Sequence, residues 1–421
     1  MRTAAILLVI WSVLVTRTMS QPVVGGFVEA NQAIRVEKNP ALGDGSFSER
    51  SYPRSELRAQ VTIRGTGEHE EFFLRADLVS DATAAARSMV DLREAYIKMR
   101  LSNWLDMKLG RQVATWGTGD LAFANDLFAK DWEAFFTALN DSYLKAPQDL
   151  LRLTAYAQGV AIDVAGSPYF TPDHLPMGER MSVYDPIIGE AVIAGAMSPV
   201  IEPPRNLGHG EVFLRASGAL GSSEIAFYGY TGFWPTPQGV TVSAGHPVLH
   251  YPRLQAIGSS ARGPIGSFMS HAEIAYYRSG SDVNGEDPLI ANSQIRGFAG
   301  TERSFGKEWT VAAQYYAEWM MDYPGYQAAT PSGAPTFDEV RSTVTLRVTK
   351  FARRQTVQFS VFGYWGISDD DWHLRPSVSY DVTDAVKWTV GGSLLDGAKP
   401  YTMFGQFRGN SNVFTRLRYS F

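Results

Sequence analysis

The sequence SYPRSELRAQVTIR, residues 51–64, alternates between polar and apolar side chains. From Arg54 to Arg64 every second residue is polar or charged, and the intervening residues from Leu57 to Ile63 are apolar. Side chains of a β-strand alternate between its two faces, whereas a helix repeats every 3.6 residues. This segment therefore predicts a strand with one polar and one apolar face. Segments 307–320 and 339–350 repeat the pattern.

The same period of two recurs along the chain and predicts about eighteen strands, with sixteen as the alternative count. The segment 160–169 is included partly because a barrel with both ends on one side of a membrane needs an even number of strands. The predicted strands lie near 23–37, 51–64, 70–81, 91–101, 104–114, 149–157, 160–169, 209–219, 222–232, 250–261, 266–278, 291–303, 307–320, 339–350, 355–367, 371–380, 384–396 and 411–421.

The predicted connections alternate between tight turns and long loops. The long loops are 38–50, 115–148, 170–208, 233–249, 279–290 and 321–337. Outer-membrane barrels have short periplasmic turns and long outer loops, whereas a soluble β-sandwich has no reason to alternate them. The predicted fold is therefore an all-β, antiparallel, up-and-down transmembrane β-barrel in a bacterial outer membrane, with 170–208 as a long extracellular loop.

The first twenty residues predict a secretory signal peptide. Arg2 supplies a basic start, residues 4–15 an apolar run, and Thr18-Met19-Ser20 a cleavage site. The apolar run is shorter than the roughly 20 residues that a membrane-spanning helix needs, so residues 21–421 are expected to form a single barrel domain. The chain has no cysteine, which excludes disulfides, iron–sulfur clusters and covalently attached haem. Its net charge of −5 gives no nucleic-acid footprint.

Aromatic residues recur where the two edges of a membrane are expected. Trp309 and Trp319 share one strand face at a spacing of ten residues, which at about 3.3 Å per residue and a tilt near 40° is roughly 25 Å of height. That height matches the apolar band between two aromatic girdles, although strands favour aromatic residues in any case. The predicted girdle residues are Trp309, Trp319, Trp372, Tyr380, Tyr419 and Phe421. The aromatic strand 412–421 also resembles the C-terminal signature that barrel assembly machinery recognises.

The segment 107–112, MKLGRQ, continues to Trp116-Gly117 and Asp120. It resembles the strand and loop of substrate-specific outer-membrane porins such as the alginate-export-like and phosphate-selective families. With 126–132 included, it is most similar to a porin-like group without an assigned substrate. The resemblance implies a porin-like barrel and passive transport, and no particular solute.

The segment 115–148 follows the fifth predicted strand, from which general porins fold a constriction loop into the lumen. Its apolar residues have near-helical spacing after Asn125-Asp126, two residue types that cap helices, which predicts a short helix. Its polar side chains are expected to form a charged eyelet that selects solutes by size and charge. The alternative is a helix that plugs or braces the wall. The predicted constriction residues are Asp120, Asp126, Lys130, Asp131, Trp132 and Glu133.

The strand faces opposite the apolar ones carry more bases than acids, although the chain is acidic overall. An arginine-rich lumen would favour anions. The alternative is a structural ladder of inward basic and acidic side chains across neighbouring strands. The predicted lumen residues are Arg54, Arg58, Arg64, Arg75, Lys98, Arg152, Arg341 and Arg347.

The sequence contains no nucleophile elbow, phosphate-binding glycine loop or paired-histidine metal motif, so neither an enzyme nor a cofactor is expected. The predicted function is passive diffusion of small hydrophilic solutes, with anion preference as a hypothesis. Two alternatives stay open: a barrel that sheathes or docks a partner, such as a cytochrome conduit or an export apparatus, and an outer-membrane hydrolase. The expected partners are membrane lipid and lipopolysaccharide, small solutes, the barrel assembly machinery, and either further copies of the chain or another protein.

Overall fold

A computed structural model describes residues 20–39, 41, 52–83 and 89–421 of the chain. The predicted signal peptide, residues 1–20, lies outside the described residues except for Ser20. Eighteen antiparallel strands form one sheet. The last strand, Asn412–Ser420, pairs with the first, Val23–Arg35. The sheet is thereby closed, and the predicted all-β barrel is confirmed.

The strands agree in number and position with the alternation of the sequence. The segment Val160–Ser167 is one of the eighteen, so the alternative count of sixteen is wrong. The strands are β1 Val23–Arg35, β2 Arg54–Thr66, β3 Glu70–Asp81, β4 Met89–Ser102, β5 Leu105–Val113, β6 Pro147–Ala157, β7 Val160–Ser167, β8 Glu211–Leu220, β9 Ser223–Phe233, β10 Arg253–Ile265, β11 Phe268–Ser279, β12 Gln294–Phe305, β13 Trp309–Met320, β14 Val340–Ala352, β15 Val357–Gly366, β16 Asp371–Asp381, β17 Val386–Gly397 and β18 Asn412–Ser420.

The long connections all lie at one end of the barrel, together with the four-residue turn 367–370, and the other tight turns lie at the opposite end. Turns such as Gln158-Gly159 and Gly266-Ser267 join strands at the end where β1 begins and β18 finishes. The longest connections, 114–146 and 168–210, leave the other end. This arrangement assigns the turns to the periplasmic side and the long loops to the outer side.

The long loops contain short elements of their own. The helices are α1 Trp132–Phe136 and α2 Tyr323–Ala329, and 3-10 helices lie at Asp141–Tyr143, Leu207–His209 and Gly405–Phe407. A three-stranded sheet joins Val200–Ile201, His246–His250 and Gly239–Ser243, and Val183–Asp185 pairs with Glu190–Val192. Within the described ranges, no helix has the length and hydropathy needed to span a bilayer.

Burial follows the alternation of the strands. Apolar side chains on the outer face are exposed, and the six predicted girdle residues are all between 37% and 58% exposed. Trp319 and Trp372 lie near the long loops, whereas Trp309, Tyr380 and Tyr419 lie near the turns. These positions match the two edges of a membrane, and their role as a girdle stays a prediction.

Gly110, in the MKLGRQ segment, has a backbone conformation that residues with a side chain rarely adopt. Its φ is +126°, and a Cβ atom there would lie 2.3 Å from the carbonyl oxygen of Ala95 on the neighbouring strand. We expect Gly110→Ala to destabilise the barrel by more than the about 1–3 kcal/mol of backbone strain alone, and so to lower the urea midpoint of unfolding in detergent. Gly25→Ala is the control, because its nearest contact would be an ordinary 3.4 Å. Equal midpoints for the two variants would contradict this expectation.

Candidate functional site

Residues 114–146, the inward loop, fold into the barrel and are held from several sides. Asn31 on β1 donates to the carbonyl of Ala138 at 3.0 Å. Tyr143 of the loop donates to Asp77 on β3 at 2.6 Å. On the other side of the barrel, Asn125 of the loop donates to Glu273 on β11 at 2.9 Å. The inward loop therefore crosses the lumen, as expected for a constriction loop.

Two groups of aromatic side chains fix the inward loop to the inner wall. In the first, Phe128 stacks on Phe213 with ring centroids 4.2 Å apart. In the second, Phe135 and Phe136 of α1 pack against inner-wall and loop aromatics that include Tyr364. Because residues 133–136 of α1 are buried, this helix braces the loop and does not line a passage.

The cap of α1 differs from the one expected from the sequence. Asp131 accepts a hydrogen bond from the backbone of Ala134 at 2.8 Å, so Asn125-Asp126 is not the N-cap. Asp131 also lies 2.9 Å from His174 Nδ1. A side-chain oxygen at this position satisfies a backbone N–H that has no partner within the helix. Asp131 and Trp132 are thus half-buried loop supports.

Three of the predicted constriction residues do not face open water, which corrects the expectation from sequence. Asp126 and Lys130 are buried and lie 3.3 Å apart, and Lys130 also donates to two backbone carbonyls. Glu133 is buried and pairs with Arg180 at 2.9 Å. Buried charges are tolerated when they are paired and hydrogen-bonded. These side chains hold the loop in its fold instead of lining an eyelet.

Asp120 is the predicted constriction residue that faces the lumen. Its side chain is 34% exposed and accepts a hydrogen bond at 2.8 Å from Arg347 on β14. Gln314 fixes the backbone of Asp120 through hydrogen bonds of 2.9 and 2.8 Å. Nearby, Asp141 of the same loop pairs with Arg375 on β16. A cavity of about 220 Å³ adjoins Asp120.

Two of the predicted lumen residues lie on the inner face but are covered by the inward loop. Arg54 bonds to Glu56 and to the backbone and side chain of Thr137, and Arg58 pairs with Glu56 and Asp77. Both arginines are buried. The expectation that they line open water is therefore wrong, because the loop packs directly against their strand.

Five of the other predicted lumen bases are more exposed than the acids with which they pair, whereas Arg347, at 26%, is less exposed than Asp120, at 34%. The side chain of Lys98 is 47% exposed and that of its partner Asp106 is 11% exposed. Arg152 and Asp163 repeat this at 29% and 3%. Arg64, Arg75 and Arg341 are likewise more exposed than the acids they pair with. The inner wall thus presents bases to the lumen, although most of them are paired.

No local pattern in the sequence indicates a role for Arg180, which lies in the loop predicted to be extracellular. Its guanidinium is buried between Asp81 on β3, at 2.5 Å, and Glu133 of the inward loop, at 2.9 Å. Burial alone would lower the pKa of Arg180, but the charge of Glu133 and the hydrogen bond to Asp81 raise it above its usual value. The segment 173–185, which we call the strap, therefore packs against β3 and the inward loop, and the extracellular position of the rest of 170–208 stays a prediction.

Solved structures share this architecture. The chain is similar to Pseudomonas aeruginosa OccK3 (OpdO), with 11% identity, a TM-score of 0.54 and 95% of each chain covered. Acinetobacter baumannii OccAB1 has 9% identity and a TM-score of 0.53, with 95% of each chain covered. For Pseudomonas aeruginosa OccD3 (OpdP) the values are 11% and 0.52, with 94% of this chain and 91% of that chain covered.

The chain shares the fold of the Occ barrels. No protein-family model and no curated protein matches the sequence, so the narrower resemblance to alginate-export-like and phosphate-selective porins stays a prediction. A closed barrel with an apolar outer face satisfies every backbone group without water, which is the requirement for crossing a bilayer with strands. The protein is a β-barrel of the bacterial outer membrane.

Asp173 links the strap to the inward loop through a buried carboxyl group. It accepts hydrogen bonds from the backbone of Lys130 and from Trp132 Nε1, both at 2.8 Å. Burial raises the pKa of Asp173 from 3.8 to about 6, and the Lys130 charge and these hydrogen bonds do not offset it. Because the folded pKa is the higher one, this contact is most stable below about pH 4 and weakens as the pH rises to about 6 and above.

We therefore expect the strap to be held more firmly at pH 4 than at pH 7, by up to about 3 kcal/mol at 1.36 kcal/mol per pKa unit. The measurement is the hydrogen-exchange protection of the Trp132 indole and the Lys130 amide across this range. Asp173→Asn, which is neutral at every pH, should lose that part of the pH dependence. An identical pH dependence in the wild type and the variant would contradict the assignment to Asp173.

A histidine–serine contact on adjacent inner strands is closed to solutes. His373 Nε2 lies 2.8 Å from Ser393 Oγ, and both residues are buried among aromatic side chains. In the part of the chain that the structure describes, His373 Nδ1 has no hydrogen-bond partner, whereas a catalytic triad needs an acid there. The described residues also contain no group of three His, Cys, Asp or Glu side chains able to hold a metal. This contact gives no support to the hydrolase alternative.

Proposed function

We propose that the protein is an outer-membrane channel for passive diffusion of small hydrophilic solutes, with a preference for anions. The observation that carries the proposal is the orientation of the ion pairs on the inner wall. In pairs such as Arg418–Glu29, 25% and 3% exposed, the base faces the lumen and the acid lies behind it. A lumen lined in this way attracts anions and concentrates them near the wall.

The narrow part of the proposed passage lies where the inward loop meets β14 and β16. There Asp120 and Asp141 on the loop face Arg347 and Arg375 on the wall. Because each acid is in direct contact with its base, a solute passes beside these pairs and not between them, and the pairs limit its size.

The sheath alternative has less support. The inward loop bonds to β1 and to β11 on the opposite side of the lumen, and its aromatic side chains pack into buried clusters with the inner wall. A second protein threaded through the barrel would have to displace this packing, which costs several kcal/mol for each large buried side chain removed from its contacts.

The test is single-channel recording of the purified full-length protein in planar bilayers. We expect discrete open steps and a reversal potential on the anion side in a salt gradient. A cation-side reversal potential would overturn the anion preference. Silence from protein that is shown to be folded by its heat-dependent gel mobility would overturn the channel itself.

A further inference from the structure

Three exposed arginines, the rim arginines Arg205, Arg253 and Arg278, lie at the extracellular rim of the barrel. Arg253 begins β10 on the same face as Ile257, which is 66% exposed on the outside of the barrel. Arg278 on β11 is in register with Gln255 and donates to its Oε1 at 2.9 Å. Residues two apart on a strand share a face. Arg253 and Arg278 therefore point away from the lumen.

The 3-10 helix Leu207–His209 connects the third arginine to this surface. Its Gly208 carbonyl accepts a hydrogen bond at 2.9 Å from Arg253. Arg205, just before this helix, places its guanidinium 4.1 Å from the ring centroid of Tyr169. Leu207 itself is 84% exposed and leads into the outward apolar side chains of β8. An apolar side chain beside exposed bases is the composition of a membrane interface.

The rim arginines lie at the height of the outer headgroups. Arg253 is at the outer end of β10, which finishes at Ile265 near the periplasmic turn. At about 3.3 Å per residue and a tilt near 40°, these twelve steps correspond to roughly 30 Å of height. The apolar band is about 25 Å tall. The guanidinium groups are thus just outside the apolar band, on the side of the long loops.

Among the residues that the structure describes, the rim arginines have no acidic partners, in contrast to most bases of the lumen. Among the described residues, no ion pair involves Arg205, Arg253 or Arg278. Their contacts are with a backbone carbonyl, a glutamine oxygen and aromatic rings. Three charges without acidic partners along one rim favour an anionic partner, and a guanidinium binds phosphate through two parallel hydrogen bonds.

We propose that the rim arginines bind the phosphate groups of lipopolysaccharide in the outer leaflet, with Leu207 against its acyl chains. This binding surface is separate from the channel, because it lies on the outside of the barrel. Phosphate at headgroup level, with acyl chains directly below it, is what a lipid of that leaflet presents to this surface. The chemistry of the surface thus matches a phosphorylated membrane glycolipid.

The test compares two variants of the full-length protein after delipidation in detergent. The first replaces all three rim arginines, as Arg205→Gln, Arg253→Gln and Arg278→Gln. The control, Arg303→Gln with Lys350→Gln, removes two outward-facing bases at the periplasmic end, where Lys350 lies 4.8 Å from the Trp309 ring. Binding of deep-rough lipopolysaccharide, of its dephosphorylated form and of phosphatidylglycerol is measured by native mass spectrometry.

We expect the triple variant to bind lipopolysaccharide about 100-fold more weakly than the wild type, which corresponds to about 3 kcal/mol. The control should keep its affinity, and dephosphorylation should weaken binding to the wild type. Unchanged binding by the triple variant would overturn the proposal, and so would an equal loss in the control. Binding of phosphatidylglycerol as tight as that of lipopolysaccharide would overturn the choice of lipid. Bilayer conductance of the triple variant, which keeps every lumen residue, separates this proposal from that of the channel.

Discussion

Replacing Arg180 by methionine is expected to release the strap from the barrel interior and to raise the single-channel conductance. Arg180 pairs with both Asp81 and Glu133. Its removal takes the same guanidinium away from two buried carboxylates, and breaking a buried ion pair in this way typically destabilises a structure by about 3–5 kcal/mol. Because this contact joins the strap to the inward loop, its loss should weaken the docking of these loops and leave the hydrogen bonds between the barrel strands intact.

Two measurements check the effect of Arg180→Met. Limited proteolysis should cut the strap within 173–185 much faster in the variant, and bilayer recordings should show larger or noisier steps. A rescue variant, Arg180→Met with Asp81→Asn and Glu133→Gln, also neutralises the two carboxylates. It should recover most of the resistance of the strap to proteolysis. If Arg180→Met matches the wild type in both measurements, the strap is not held by this ion pair.

The ion selectivity is expected to move in opposite directions when the two partners of the Asp120–Arg347 pair are neutralised one at a time. Arg347→Gln leaves the carboxylate of Asp120 facing the lumen, so selectivity should shift toward cations. Asp120→Asn leaves the guanidinium and should shift selectivity toward anions. Two unit charges about 5 Å apart interact with an energy of about 1 kcal/mol in water and about 3 kcal/mol at an effective dielectric constant of 20. The ratio of anion to cation permeability should therefore change by about fivefold to over a hundredfold.

Reversal potentials in a salt gradient measure this ratio directly. Each variant serves as the control for the other, because both break the same ion pair and both keep the hydrogen bonds from Gln314 to the backbone of Asp120. A general loosening of the inward loop would shift both variants in the same direction. That result, or no shift in either variant, would show that this pair does not lie on the conduction path.

The strands were predictable from sequence because their information is local. In Val340–Ala352 and Arg54–Thr66 the polarity of each residue indicates which face of the strand it lies on. A period of two therefore identifies the strand without knowledge of the neighbouring strands. Even Val160–Ser167, chosen partly from parity, is a barrel strand. The outward position of Trp309 and Trp319 follows from the same alternation.

The candidate site was only partly predictable, because its contacts join residues far apart in the chain. Glu133 and Lys130 have the composition of an exposed polar helix face, yet both are buried by partners that no local pattern indicates. Arg180 meets Asp81 across 99 residues. The spacing of apolar residues cannot predict such pairs. It indicates which face of a helix or strand is buried, but not which residues pack against that face. Asp120 was found because it follows the resemblance segment directly.

The pairing of β1 with β18 also governs how the barrel can form. Glu29 and Arg418 form an ion pair across this seam although they are 389 residues apart. The ring therefore cannot close until almost the whole polypeptide has been exported, and until then the first strand has one bare edge. Bare strand edges are templates for pairing with other chains, and contacts between distant residues form slowly. In a newly exported molecule, pairing of β1 with β18 of the same chain thus competes with pairing of β1 with a strand of a neighbouring chain.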